Sequence, residues 1–239
     1  MFFNIILILF ITLFLSIRFT KIYRSFAIKN SIKAIPNNRT LHFKSVPSGG
    51  GVVFSSLFVS IIVLLEILQI ISLDILMVIG IGGLIAILFG LTDDIFDISA
   101  PIKFFIQSIL AAWSIFWLDG GALVEVAWIP LWISWLVSWF MLVWMINLYN
   151  FIDGVDGMAA SGAVFIPLTL IVVLLIKGES SDLVVLLSVL GISSLGFLIY
   201  NWPPASIFMG DSGSVFLGYV FGTLIIKTTM TGEVSIWSW

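Results

Sequence analysis

The chain contains no cysteine and a single histidine, and only 10% of its 239 residues are charged. Without cysteine there is no disulfide framework, no thiolate nucleophile and no thiolate metal site, so a metal ion would depend on oxygen ligands or on His42. Soluble domains carry about 25% charged side chains, and this scarcity of charge excludes a water-coated surface. Acids are missing altogether before Glu66, and only Lys103, Lys177 and Lys227 supply positive charge after Lys44. What fills the sequence instead is apolar: 61% of the residues are hydrophobic, which also excludes a disordered or collagen-like chain.

The apolar residues gather into runs near 2–17, 52–71, 75–91, 102–118, 129–146, 158–176, 183–200 and 215–229. Most approach the ~20 residues that a helix needs to cross a bilayer. A spanning segment must satisfy its own backbone hydrogen bonds, and these runs lack the polar–apolar alternation of barrel strands. The sequence therefore predicts an all-α, polytopic integral membrane bundle of about eight transmembrane helices, forming a single domain over 1–239. The first run has no basic residues before it and is followed by Arg18, Lys21 and Arg24, the reverse of a secretory signal, so it reads as a retained helix.

Seven of the ten Lys and Arg residues fall between Arg18 and Lys44, which assigns that connection to the cytoplasm. Alternate crossings then put the N-terminus outside and 92–101, 147–157 and 201–214 inside. Trp113, Trp117, Trp128 and Trp132 flank the connection near 119–128 as an outer aromatic belt. Small residues four apart, at Gly82, Ala86 and Gly90 and at Ser214, Gly218 and Gly222, predict helices that pack closely within the bundle.

Six of the thirteen acids (Asp93, Asp94, Asp97, Asp153, Asp156 and Asp211) fall in those three inner connections, although only Lys and Arg entered the orientation. Mutual repulsion among them calls for a cation. If the third helix continues through Asp93-Asp94-Ile95-Phe96-Asp97, Asp93 and Asp97 share a face, and the spacing suits Mg²⁺. Asn147, Asn150 and Asp153 are three apart, hence stacked on one helical face, before two Asp-Gly pairs turn the chain. Such amides and carboxylates can hydrogen-bond a nucleotide or ligate a metal. Phe208-Met209-Gly210-Asp211-Ser212-Gly213-Ser214 leads into the last helix, with Asp211 or Ser212 as the expected N-cap. The basic connection holds Arg39, His42, Lys44 and Gly49-Gly50-Gly51, residues that can offer charge and backbone N–H groups to phosphates.

These blocks, in this order over residues 36–222, resemble the polyprenyl-phosphate N-acetylaminosugar-1-phosphate transferases, which include the phospho-N-acetylmuramoyl-pentapeptide transferase type. Asn201-Trp-Pro203-Pro204 and the Arg39-Thr40-x-His42 stretch look more like the branch that initiates O-antigen and other surface glycans. The resemblance implies Mg²⁺, or Mn²⁺ in its place, and transfer of sugar-1-phosphate from a UDP-N-acetylhexosamine to undecaprenyl phosphate with release of UMP. It places the chain in the cytoplasmic (inner) membrane, for lipopolysaccharide, surface-glycan or cell-wall synthesis. It assigns Asp211, Asp93 and Asp94 to metal binding and catalysis, and Asn147, Asn150, Asp153, Asp156, Arg39, His42 and Lys44 to the substrate. The partners implied are both substrates and the bilayer, with no nucleic acid, and a homodimer is left open.

The chain departs from the pattern at Ser48, where relatives often have Arg, and it stops at Trp239, before the family's further helices and last cytoplasmic loop; it reads as a truncated or split member. Alternatives are an intramembrane prenyltransferase, a CDP-alcohol phosphotransferase, which lacks its expected Arg at Ala159-Ala160, and a transporter. A transporter would place ionisable groups at mid-membrane, where Glu66 is the clearest intramembrane acid.

Overall fold

The structure, a computed structural model, describes residues 2–34, 45–120, 130–178 and 182–234. Eight apolar helices organise them, as the runs predict: α1 (Phe2–Lys29), α2 (Gly51–Ile67), α3 (Leu73–Phe96), α4 (Ala100–Trp117), α5 (Leu131–Ile152), α6 (Met158–Lys177), α7 (Asp182–Asn201) and α8 (Asp211–Thr231). Seven are long and apolar enough to span a bilayer, and α2 is a 17-residue apolar helix. The molecule is a multi-pass membrane protein.

The central element is α8. Every residue from Ser212 to Ile226 is buried, so this helix meets protein on all sides rather than lipid. That surrounding explains its Gly, Ser and Thr content, since small residues let helix backbones approach closely. A Cβ at Gly218 would lie 2.6 Å from the Ile146 Cα of α5, and a Cβ at Gly90 of α3 would collide with the Asp211 carbonyl. The small-residue spacing thus does what the sequence predicted. Around this axis stand α2, α3 and α5, while α7 packs against α6, α1 and α2.

A π-helical segment, Leu76–Ile81, interrupts α3. Wider turns disturb the carbonyl ladder, and in a membrane those carbonyls need partners. Tyr219 donates its hydroxyl to Val78 O at 2.7 Å, Trp113 Nε1 donates to Met77 O at 2.9 Å, and Ser114 Oγ donates to Tyr219 Oη at 2.9 Å. The side chains that support the bulge therefore come from α4 and α8.

Several helix ends differ from the apolar runs. The helix α1 runs twelve residues past the run ending at 17, through Arg18, Lys21 and Arg24, because Lys and Arg are good helix formers whose charged heads reach the interface. Phe96 ends α3, and Asp97 caps it in the left-handed conformation at φ 47°, so Asp97 does not continue the face of Asp93. Glu66 lies in the last turn of α2, away from mid-membrane. A two-residue antiparallel ladder, β1 (Lys33–Ala34) with β2 (Val46–Pro47), closes the base of the basic connection. Of the tryptophan belt, Trp113 and Trp117 stand in α4 and Trp132 opens α5; Trp128 lies outside the described residues.

Candidate active site

The helix ends of α3, α4, α5 and α8 meet at one end of the bundle, and each delivers one polar group or more. Asp93, in the last turn of α3, is buried and pairs with Lys103 of α4, with Oδ2 2.6 Å from Nζ. Its other oxygen accepts the Ile98 N–H at 2.9 Å, which ties the α3–α4 turn to the carboxylate. Lys103 Nζ is also 4.0 Å from Asp211 Oδ2. One ammonium thus serves two acids from different helices.

Asp94 points to α8. Its oxygens accept the Asp211 N–H at 2.8 Å and the Ser212 N–H at 3.2 Å. A carboxylate at a helix N-terminus is favoured by both the free N–H groups and the helix dipole. The expected N-cap, Asp211 or Ser212, is therefore corrected: Gly210 occupies the cap position without a side-chain bond, and the capping group is Asp94 from another helix. Gly210 has φ 76°, and a Cβ there would sit 2.9 Å from Asp94 Oδ2.

Asn150 donates its amide to Asp211 Oδ1 at 2.8 Å and to Ser214 Oγ at 3.1 Å. This fixes the rotamer of the Asp211 carboxylate. Asn147, one turn earlier on α5, exchanges two amide hydrogen bonds with Gln107 of α4, at 2.7 and 3.5 Å. Asp153, at the C-cap of α5, accepts the Gly210 N–H. Burial, reinforced by the negative charges of Asp211 and Asp94, pushes its carboxyl well above the ordinary carboxylate range. Asp156 accepts the Ala205 N–H at 2.9 Å and Asn201 accepts the Gly157 N–H at 3.1 Å, so the 153–157 turn is laced to the 201–206 loop. The stacked face of Asn147, Asn150 and Asp153 exists, but its members meet three different neighbours.

The glycine run lies against the same loop. Gly50 N–H donates to Phe208 O at 2.9 Å, Gly51 N–H to Met209 O at 2.8 Å, and Phe208 N–H to Pro47 O at 2.8 Å. Arg39, His42 and Lys44 lie outside the described residues.

The structure therefore brings together Asp93, Asp94, Asn150, Asp153 and Asp211, with Asn147 and Asp156 at the margins. Among the described residues, no three acids or histidines converge as a ready-made metal cage. Asp93 and Asp211 nonetheless approach within hydrogen-bonding range of each other. Two carboxylates so close need a proton or a cation between them, and a hard ion that keeps several waters fits such a pair. Lys103 and Gln107 were missed by the sequence reading. The signal was available: Lys103 is one of only three basic residues after Lys44, and it follows the first aspartate cluster by six positions.

A profile of Glycosyl transferase family 4 matches residues 76–229, from the π-helical segment to the last turn of α8, and so takes in Asp93, Asp94, Asp97, Asp153, Asp156 and Asp211. Curated relatives agree in kind. A Bacillus subtilis (strain 168) protein named "Probable undecaprenyl-phosphate N-acetylglucosaminyl 1-phosphate transferase" is 34% identical over 86% of this chain and 58% of its own length. The undecaprenyl-phosphate alpha-N-acetylglucosaminyl 1-phosphate transferase of Thermotoga maritima is 30% identical over 85% of this chain and 60% of its own. The decaprenyl-phosphate N-acetylglucosaminephosphotransferase of Mycolicibacterium smegmatis is 32% identical over 89% of this chain and 56% of its own. The chain thus spans a little over half the length of these relatives. Its matched part contains the helices that carry every described carboxylate of the cluster, and on that ground the chain belongs to Glycosyl transferase family 4.

Proposed function

We propose that this protein transfers N-acetylhexosamine-1-phosphate from a UDP-N-acetylhexosamine to undecaprenyl phosphate, releasing UMP, as the first lipid-linked step of a surface glycan or cell-wall polymer. The observation that carries the proposal is the convergence of Asp93, Asp94, Lys103, Asn150 and Asp211 from four helix ends at one membrane face. N-acetylglucosamine is the sugar in the names of the relatives, and it is the first donor to test.

In the reaction, an oxygen of the acceptor phosphate forms a bond to the phosphorus that carries the sugar. The bond from that phosphorus to the UMP oxygen breaks, and UMP leaves with the electron pair. Both reactants are anions, so positioning and charge compensation dominate the catalysis. Lys103 brings a fixed positive charge between Asp93 and Asp211. Mg²⁺ supplies Lewis-acid neutralisation of the phosphates when bound, and Asp211 and Asp93 are the groups that would hold it. Asn150 keeps Asp211 in one orientation. Asp94 holds the α8 terminus through the Asp211 and Ser212 N–H groups. Asn147, Asp153 and Asp156 are assigned to the nucleotide side, and Arg39, His42 and Lys44 to the diphosphate. Phe96 and Phe151, both highly exposed beside the cluster, give an isoprenoid acceptor an apolar approach.

The test is Mg²⁺-dependent release of UMP from UDP-N-acetylglucosamine in the presence of undecaprenyl phosphate. Exchange of allylic diphosphates without UMP release would replace this reading with the prenyltransferase one. The site is assigned to the cytoplasmic side of the inner membrane by the basic connection. Because the chain has no cysteine, a single thiol at Ser99→Cys is a unique label. Its labelling by an impermeant reagent from outside intact cells would reverse the orientation.

A further inference from the structure

Much of α1 is bare of protein: Phe10, Phe14, Ile22 and Phe26 are exposed, as expected of a lipid-facing peripheral helix. Its inner end behaves otherwise. Tyr23 and Arg24 turn inward and reach two different backbone segments. The Tyr23 hydroxyl donates to Ser48 O at 3.4 Å, and Arg24 Nε donates to Ser206 O at 3.0 Å. Ser48 begins the glycine run, and Ser206 begins the segment that leads to Gly210 and Asp211.

These two segments are joined backbone to backbone by the Phe208–Pro47, Gly50–Phe208 and Gly51–Met209 hydrogen bonds. At the far end of the ladder they touch. A Cβ on Gly210 would lie 3.1 Å from the Gly49 Cα and 2.9 Å from Asp94 Oδ2, while a Cβ on Gly49 would lie 2.6 Å from Tyr23 Oη. Gly49 and Gly210 both have positive φ, at 84° and 76°, so neither position tolerates a side chain conformationally or sterically. A continuous line of contact therefore runs from Tyr23 through Gly49 and Gly210 to the Asp94 carboxylate, which in turn holds the Asp211 and Ser212 N–H groups.

We propose that Tyr23 and Arg24 are positioning residues: from α1 they clamp the Ser48–Gly51 and Ser206–Gly210 segments together, and through the Gly49–Gly210 contact the clamp sets Asp94 and Asp211. Neither residue touches the reacting atoms. Both act on the backbone that aims the carboxylates. The two tethers engage opposite members of the ladder, so loss of both should loosen it more than loss of either. The turnover part of this proposal rests on the transferase reading, whereas the clamp itself is a statement about backbone order.

The experiment uses the full chain in lipid nanodiscs, with Tyr23→Phe, Arg24→Met, the double variant and Arg24→Lys. Tyr23→Phe deletes only the hydroxyl, and Arg24→Lys keeps a cationic donor. Hydrogen–deuterium exchange is read on peptides covering 46–52 and 206–213, with α4 as internal control. In the double variant, exchange in both peptides should rise about tenfold with α4 unchanged, and kcat should fall about tenfold while KM for the UDP-sugar stays within about twofold, since misplaced groups act on the bound reactants. Arg24→Lys should recover most of what Arg24→Met loses. Unchanged exchange overturns the clamp, and raised exchange with kcat intact overturns its positioning role. A wild-type protein that orders the ladder but releases no UMP would instead mark failure of the transferase reading.

Discussion

The two ends of the bundle contain similar charged residues in dissimilar arrangements. At one end, Lys103 sits 2.6 Å from Asp93, which also accepts the Ile98 N–H, while Asp94 accepts those of Asp211 and Ser212 and Asp156 that of Ala205. At the other, Lys227, Asp74 and Asp119 line a cavity of about 220 Å³ with Trp117. No ion pair forms among them within 4 Å, both acids are exposed, and the Trp117 Nε1 has no partner among the described residues. A lysine and two aspartates are thus insufficient to make a site. Backbone donors and a buried partner separate a preorganised cluster from charges that merely face water.

The two ends should differ most in their response at Asp211. Asp211→Asn removes one charge at almost constant volume and should lower UMP release about 10²- to 10³-fold with membrane insertion intact; near-normal turnover would deny the Lys103–aspartate cluster its role. Next comes Lys103→Met, which strands the Asp93 carboxylate. A destabilisation of about 2 kcal/mol is expected in thermal melts, below the roughly 3 to 5 of a fully enclosed pair because the Lys103 side chain keeps 32% of its surface. Adding Asp93→Asn should restore the melting temperature but not turnover, which separates the structural from the chemical task of the pair.

A smaller effect is expected of Asp153→Asn without divalent cations. The folded state raises this carboxyl, so it binds the proton more readily than the unfolded chain does. Wild-type stability should then decline as pH rises from the ordinary carboxylate range through the raised value. The asparagine variant should lack that decline, so the two melting curves should meet at low pH and separate on going up. At the far end, Lys227→Met should change stability by less than about 0.5 kcal/mol and leave UMP release unaltered. A large loss there would mean that the cavity, too, is organised.

The spans were legible because Leu, Ile, Val and Phe runs of membrane length admit few readings, and the packing of Gly90 and Gly218 followed from their four-residue spacing. The aspartate blocks were legible as blocks. Their hydrogen bonds were not, because each depends on a tertiary neighbour: Asp94 caps a helix that begins 117 positions later, and Asn150 meets Asp211 across 61. Local capping logic pointed to Asp211 and Ser212 for the same reason. Asp97 left the Asp93 face because α3 stops at Phe96, a boundary that the acidic sequence itself does not mark. Lys103 was hidden inside an apolar run, where a lone cation reads as an interface residue until its partner on α3 is known.

The π-helical segment at Leu76–Ile81 has a consequence for the distant carboxylates. A bulge of this kind amounts to one residue added to a helical turn, and everything after it is rotated by about 100° relative to an uninterrupted α-helix. Asp93 and Asp94 follow the bulge on the same rigid helix. The phase of α3 established near one membrane surface thereby decides which way its carboxylates face at the other. Straightening that turn into regular α-helix without changing its length would keep every aspartate in the sequence and swing Asp94 away from the α8 terminus, whereas deleting the added residue together with the bulge would leave the phase as it is, so the pitch of one distant turn acts as the angular setting of the site.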